Sequence, residues 1–157
     1  MYARDFARIA TPIGMVRLIG TPDVIERVMI EAGSGEPLAG SGALAEGAAQ
    51  IAAYFAGRLT AFDLPSAVSP SPCGEAMRAA MVAVRFGETL SYGALARTIG
   101  SGARAIGQAC ARNPLPIIVP CHRVTNADVS LGAYSAGAGV ATKRWLLNFD
   151  GSGSRLL

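Results

Sequence analysis

A single histidine, His122, serves a chain of 157 residues, and the three cysteines, Cys73, Cys110 and Cys121, are odd in number, widely spaced and without a C-x-x-C pair. Those scarcities exclude several chemistries. A tetrahedral zinc centre built from Cys and His needs four clustered soft ligands, so no metal is expected, and a disulfide framework has no even set of cysteines to use. Free thiols fit a reducing cytoplasm. The first residues, MYARDFARIATPIG, set charges among the apolar side chains and lack the continuous apolar core of a signal peptide. No apolar run approaches the ~20 residues of a membrane span. A soluble, cytoplasmic protein with no membrane partner is the expectation.

What is present is enough to fold without staples. At 51% hydrophobic, the chain can bury a core as one compact domain or two small ones. Charge is unevenly distributed. Residues 1 to 70 hold five arginines against seven acids, whereas residues 71 to 157 hold nine basic residues against four acids, a balance of −2 followed by +5. The second half is the part suited to a polyanion, or else it carries a solvated arginine-rich face.

Along the chain, Phe6 to Ala10, Met15 to Ile19 and Ile25 to Ile30 are short apolar runs separated by the turn chemistry of TPIG and GTPD, which predicts a small antiparallel sheet. EAGSGEPLAGSG is a loop. Apolar spacing from Ala43 to Phe55 predicts a helix ended by Gly57. FDLPSAVSPSPCG then reads as a connection, placing one domain at residues 1–65 and a second at 66–157. Glu75 to Val84 is helical by composition, Ser91 caps a helix to about Thr98, and Arg104 to Arg112 forms another, closed before Asn113-Pro114. The fold class is therefore α+β: a small N-terminal sheet with a helix, then a mostly helical domain.

The two helices that meet across IGSGA have the proportions of a helix-turn-helix, although ordinary helical hairpins share them. Ala103, Ala105, Gly107 and Ala109 leave the second helix almost bare, with Arg104 standing among them. A smooth helix either packs against another element or brings its backbone into a narrow groove with one arginine reaching in. The third feature is IIVPCHRV, residues 117 to 124, where the only histidine adjoins Cys121. Thiolate is the reactive form of cysteine, and a neighbouring base makes it available near neutral pH. Along an extended chain the two side chains would diverge. They meet only if the backbone turns at Pro120-Cys121, or if a water joins them.

FGETLSYGALA (86 to 96), RAIGQACARNPLPIIVPCHRV (104 to 124) and LGAYSAGAGVATKRWLLNFDG (131 to 151), with AYFAGRLTAFDLP (53 to 65) before them, together resemble the O6-alkylguanine-DNA alkyltransferase family, the methylated-DNA-protein-cysteine methyltransferases. The resemblance implies direct, stoichiometric and irreversible transfer of an alkyl group, chiefly methyl, from O6-alkylguanine in duplex DNA to a cysteine, after the nucleotide swings out through the minor groove. It implies no cofactor. O4-alkylthymine is a second candidate lesion, the chain is expected to act as a monomer in the cytoplasm, associated with the nucleoid when on DNA, and residues 1–65 would be an RNase H-like domain.

By the same resemblance, Cys121 is the acceptor, held ionised; His122 draws off its proton through a water; Asp150, where the family usually has glutamate, orients the imidazole; and Asn113 holds the active-site turn. Val124, Tyr134 and Ser135 shape the guanine pocket, and Tyr92 presses on the target phosphate and assists the departing base. Arg104 fills the gap left in the stack. Ser91, Ala103, Ala105, Gly107, Arg112 and Arg123 complete the expected DNA surface. The chain departs from the family pattern at Cys73 and Arg78, where an aromatic pair is usual, and at Ala133 and Ala136, where pocket glycines are usual. Rival readings are an alkyltransferase-like lesion binder, a helix-turn-helix regulator and a Cys-His hydrolase.

Overall fold

The computed structural model describes residues 5–33, 35–69, 71–128 and 130–151. The chain forms two compact units that divide between Ala67 and Val68.

The first unit is an antiparallel sheet in the order β1 (Asp5–Thr11), β2 (Gly14–Gly20) and β3 (Ile25–Glu31), followed by the helix α1 (Ala43–Phe55). Register brings Ala7, Leu18 and Val28 into one row, and all three are buried, because alternation sends every second side chain to the helix-covered face. From α1, Leu44, Ala48, Ile51 and Tyr54 complete this core. Gly47 allows the close approach: a Cβ there would stand 2.8 Å from Ile25 Cδ1 and 2.9 Å from Leu18 Cδ1.

The second unit is built from α2 (Pro72–Val82), α3 (Tyr92–Ile99), α4 (Ala103–Ala111) and α5 (Val140–Phe149), with one short parallel pair, β4 (Leu90–Ser91) against β5 (Val124–Thr125). Helix α2 starts three residues before the reading from composition, because Ser71 accepts from the Gly74 N–H and Pro72 occupies the first turn, where a missing N–H costs nothing. Ser91 caps α3 through the Ala94 N–H at 3.0 Å. Gly100, at φ 66°, ends α3 in the left-handed conformation that glycine adopts without strain, and α4 begins two residues after Ser101. Leu95 and Ala96 of α3 and Ile106 and Cys110 of α4 are buried. Each fully buried Leu or Ile contributes about 1.5–3 kcal/mol by leaving water. The pair β4–β5 sets Leu90 opposite Val124 and Ser91 opposite Thr125, which brings the start of α3 to the segment that follows Cys121. No described helix is long and apolar enough to cross a membrane.

Candidate active site

Asn113 organises the turn that carries the cysteine. Its Oδ1 accepts from the Leu115 N–H at 3.0 Å, while Nδ2 donates to the Val119 carbonyl at 3.0 Å and lies 3.2 Å from Cys121 Sγ. Between them Ile117 adopts φ 75°, the one positive-φ residue other than glycine among those described, and it is fully buried. A β-branched residue in this region carries on the order of 1–3 kcal/mol of strain, which persists only where surrounding contacts fix it. The backbone then closes a 3₁₀ turn over Cys121–Arg123. Three residues per turn separate neighbouring side chains by about 120°, so Cys121 and His122 do not diverge as on a strand.

His122 and Asp150 are both buried, and His122 Nε2 stands 2.8 Å from Asp150 Oδ2. A carboxylate only accepts, so Nε2 carries the hydrogen and Nδ1 keeps its lone pair. Nδ1 is itself buried and has no hydrogen-bond partner among the described residues. Burial holds the imidazole below its ordinary pKa despite the pull of Asp150 in the other direction, so it is a neutral base at rest.

Arg123 departs from the reading of it as a DNA contact. It is 5% exposed, donates through Nε to the same Asp150 oxygen at 2.7 Å and through Nη1 to the Val84 carbonyl at 2.9 Å, and lies over the Phe86 ring. A guanidinium committed to a buried carboxylate does not reach phosphate. The aspartate is therefore shared between the imidazole, the partner expected of it, and a buried cation that its chain position does not reveal.

The cysteine also differs from the expectation of a standing thiolate. Cys121 is 3% exposed, and burial pushes its thiol above the ordinary value, against lowering by the Asn113 hydrogen bond and the charge of Lys143. At rest it is a thiol. Cys110, also buried, is pushed up to about 12 by burial and by its neighbour Cys121.

Lys143 is the residue the sequence reading missed. It is wholly buried in α5, with Nζ 2.7 Å from the Val124 carbonyl, 3.1 Å from the Tyr92 hydroxyl and 3.4 Å from the Ala133 carbonyl. Burial lowers its pKa, and the nearby cysteines act in the opposite direction. The available signal was periodicity: Lys143, Leu146, Leu147 and Asp150 fall at i, i+3, i+4 and i+7, one face of one helix. The Tyr92 hydroxyl, pushed up to about 12 chiefly by burial, remains protonated at neutral pH, and accepting from Lys143 leaves its own hydrogen free to donate.

A cleft of about 490 Å³ opens beside Tyr92, lined also by Ala103, Arg104, Gly107, Gln108, Asn126 and the Gly132-Ala133 segment. Cys121 is not on its surface. Gly132, at φ 73°, lies so near the tyrosine that a Cβ would stand 2.7 Å from the Tyr92 oxygen. Ser135 donates to the Ala111 carbonyl at 2.9 Å, tying its loop to the end of α4, while Tyr134 is half-buried and Val124 fully buried. Of the expected DNA surface, Ala103, Arg104 and Arg112 are exposed, Ser91, Ala105 and Gly107 half-buried. At the two positions where the chain departs from the family's aromatic pair, Cys73 is exposed near the start of α2 and Arg78 pairs with Glu75 at 3.3 Å. Arg78 and Arg112 line a separate cleft of about 350 Å³. Among the described residues no group of three or more His, Cys, Asp or Glu is placed to hold a metal.

Fold and site together define a class: a protein whose helix-turn-helix and buried thiol, histidine and carboxylate share one compact unit. The comparisons narrow it. A model of the 6-O-methylguanine DNA methyltransferase DNA-binding domain matches residues 72–152. The methylated-DNA-protein-cysteine methyltransferase of Mycobacterium leprae is 37% identical over 147 residues, 89% of this chain and 88% of that one. The constitutive enzyme of that name from Bacillus subtilis is 40% identical over 109 residues, covering 68% of this chain and 66% of its own. Mycobacterium tuberculosis OGT, solved in complex with DNA, superposes with a TM-score of 0.81 at 36% identity, covering 94% of this chain and 93% of that one. The chain belongs to the 6-O-methylguanine DNA methyltransferase family.

Proposed function

We propose that this protein repairs DNA by moving the alkyl group of O6-alkylguanine, chiefly methyl, onto Cys121 in a single irreversible event. The observation that carries the reading is a buried Cys121 held by Asn113, next in the chain to the buried His122–Asp150 pair, with Tyr92 lining the cleft and accepting from Lys143. An alkylated base inside a duplex hides its O6 carbon, so the nucleotide leaves the stack through the minor groove at a cost of a few kcal/mol, and Arg104 fills the gap. In this reading the 132–136 segment yields to admit the base, since Cys121 is buried and does not line the open cleft.

The chemistry balances with no cofactor. Sulfur forms a bond to the alkyl carbon as the carbon–O6 bond breaks. The thiol proton passes through a water to His122 Nδ1, and Asp150 stabilises the imidazolium, the division of labour known from Ser-His-Asp sites. Guanine departs with a proton supplied by the Tyr92 hydroxyl, which Lys143 polarises. A thiol that stays neutral until the base arrives is protected from other electrophiles, and the thioether product does not revert. Asn113 positions sulfur; Val124, Tyr134 and Ser135 shape the base pocket; Ser91, Ala103, Ala105, Gly107 and Arg112 lie against the DNA backbone, with Arg123 reassigned to the interior.

O4-alkylthymine is the second lesion in this reading. The protein acts as a monomer in the cytoplasm, on the nucleoid when bound, and its N-terminal unit is RNase H-like. Incubation with excess duplex containing O6-methylguanine tests the reaction class: a burst of repaired guanine equal to the protein present, then nothing, supports it, whereas continuing product would identify a Cys-His hydrolase and no product a lesion binder or regulator.

A further inference from the structure

Helix α4 has two faces that differ in chemistry. Ile106 and Cys110, four residues apart, face the core. Arg104 and Gln108, also four apart, are exposed on the opposite side and line the same cleft as Tyr92. Spacing of i and i+4 stacks two side chains on one side of a helix, about 6 Å along its axis. Between and beside them the surface is low: Ala103 and Gly107 also line the cleft, and apart from its chain neighbours and its own helix backbone nothing lies within 4 Å of where a Gly107 Cβ would stand. The Gln108 carboxamide makes no hydrogen bond to the described residues. Within α4 it is the neutral, bidirectional hydrogen-bonding side chain beside Arg104, on a face otherwise made of small residues.

Resting on the alkyl-transfer reading above, we propose that Gln108 reads the base pair beside the lesion through the minor groove and favours G·C. In that groove every pair offers acceptors, A N3 or T O2 among them, and only G·C adds a donor, the guanine N2 amine. Arginine satisfies acceptors alone. A glutamine, with one acceptor oxygen, distinguishes the two kinds of pair, and Gln is among the side chains that minor-groove proteins use in this way. With Arg104 filling the place of the extruded nucleotide, a side chain one helical turn further on meets the neighbouring pair. Its oxygen accepts from the N2 amine, and its NH₂ donates to an adjacent N3 or O2. The smooth face of α4 thus acquires a preference for sequence context.

The test is single-turnover methyl transfer to Cys121 from duplexes that differ only in the pair next to O6-methylguanine, on either side: G·C, inosine·C, A·T and 2,6-diaminopurine·T. Inosine removes only the minor-groove amine and diaminopurine adds it, so a major-groove reader would not respond to these exchanges in this pattern. Pairing strength also affects extrusion, and the Gln108→Ala protein corrects for it. The expected result is a G·C to inosine·C rate ratio about fivefold larger in the natural protein than in Gln108→Ala on one side of the lesion, the size of one neutral hydrogen bond, with the diaminopurine·T to A·T ratio following it. Equal ratios in the two proteins, with methyl still reaching Cys121, would overturn the role of Gln108 and leave alkyl transfer intact. No methyl on Cys121 from any duplex would overturn both. A same-length variant, Gln108→Met, checks that bulk alone does not restore the preference; restoration would also refute the proposal.

Discussion

Replacing Asp150 by asparagine separates the two tasks that one buried oxygen performs. Asp150 Oδ2 receives His122 Nε2 at 2.8 Å and Arg123 Nε at 2.7 Å, and both residues are buried with it. Asparagine preserves the shape and removes the charge. The Arg123 guanidinium is then left without a counter-ion, and breaking a buried pair from one side costs about 3–5 kcal/mol. Against a typical total of about 5–15 kcal/mol, this is a large share of the stability of a domain. Catalysis loses the carboxylate that fixes the imidazole tautomer and stabilises the imidazolium, so transfer should slow about 10²-fold, the lower end of what a positioned general base supplies. Urea unfolding followed by far-ultraviolet circular dichroism reads the first quantity. Single-turnover transfer with saturating duplex, at a temperature where the variant is folded, reads the second. DNA affinity should not change, because neither Asp150 nor Arg123 reaches the surface. A variant with the natural transfer rate would remove Asp150 from the mechanism; a variant with natural stability would show that the Arg123 contact is energetically idle.

Three further outcomes follow from the same geometry. Lys143→Met keeps the volume of the buried side chain but removes the charge beside Cys121 and the donor to Tyr92, so transfer should fall at least tenfold, about 1.4 kcal/mol in the barrier; stopped-flow transfer with an unchanged rate constant would refute the assignment. Gly132→Ala places a methyl against the Tyr92 hydroxyl at a positive φ, and should reduce both transfer rate and thermal stability, whereas a fully active and equally stable variant would mean that the segment yields freely. His122 is buried below its ordinary pKa, so the unfolded chain takes up a proton that the folded one refuses: stability is full above about pH 6.5 and declines below it. Cys121, Cys110 and Tyr92 are raised, so their contribution is full below about pH 8.5 and is lost as pH rises through their folded values. The acid limb of the transfer rate should accordingly lie below pH 6.5, and a limb at or above that value would contradict a buried neutral imidazole.

Sequence and structure agree best where local chemistry decides. The helix Ala43–Phe55 follows its apolar period, the three strands follow their turns, and Ser91 caps α3 as its side chain predicts. Ser71-Pro72 carried an equally local start signal for α2, and composition alone placed that start too late. Tertiary effects were less legible. The 3₁₀ turn at Cys121 depends on Asn113, eight residues earlier, and the left-handed Ile117 is not a conformation its residue type favours. Arg123 counts as a basic residue in the charge asymmetry, yet it is an interior ion partner. Lys143 reads as a solvated lysine until α5 is turned against Tyr92 and Val124. The adjacency of Cys121 and His122 was plain from residue order, while the neutral resting state of the thiol follows only from its burial.

Weighing the peptide that contains Cys121 after incubation with duplex O6-methylguanine decides whether this sulfur takes the alkyl group. One added methyl group is expected on that peptide, with guanine restored in equal amount and no modification in the Cys121→Ala protein. An unmodified Cys121 peptide from folded protein bound to the damaged duplex would contradict it.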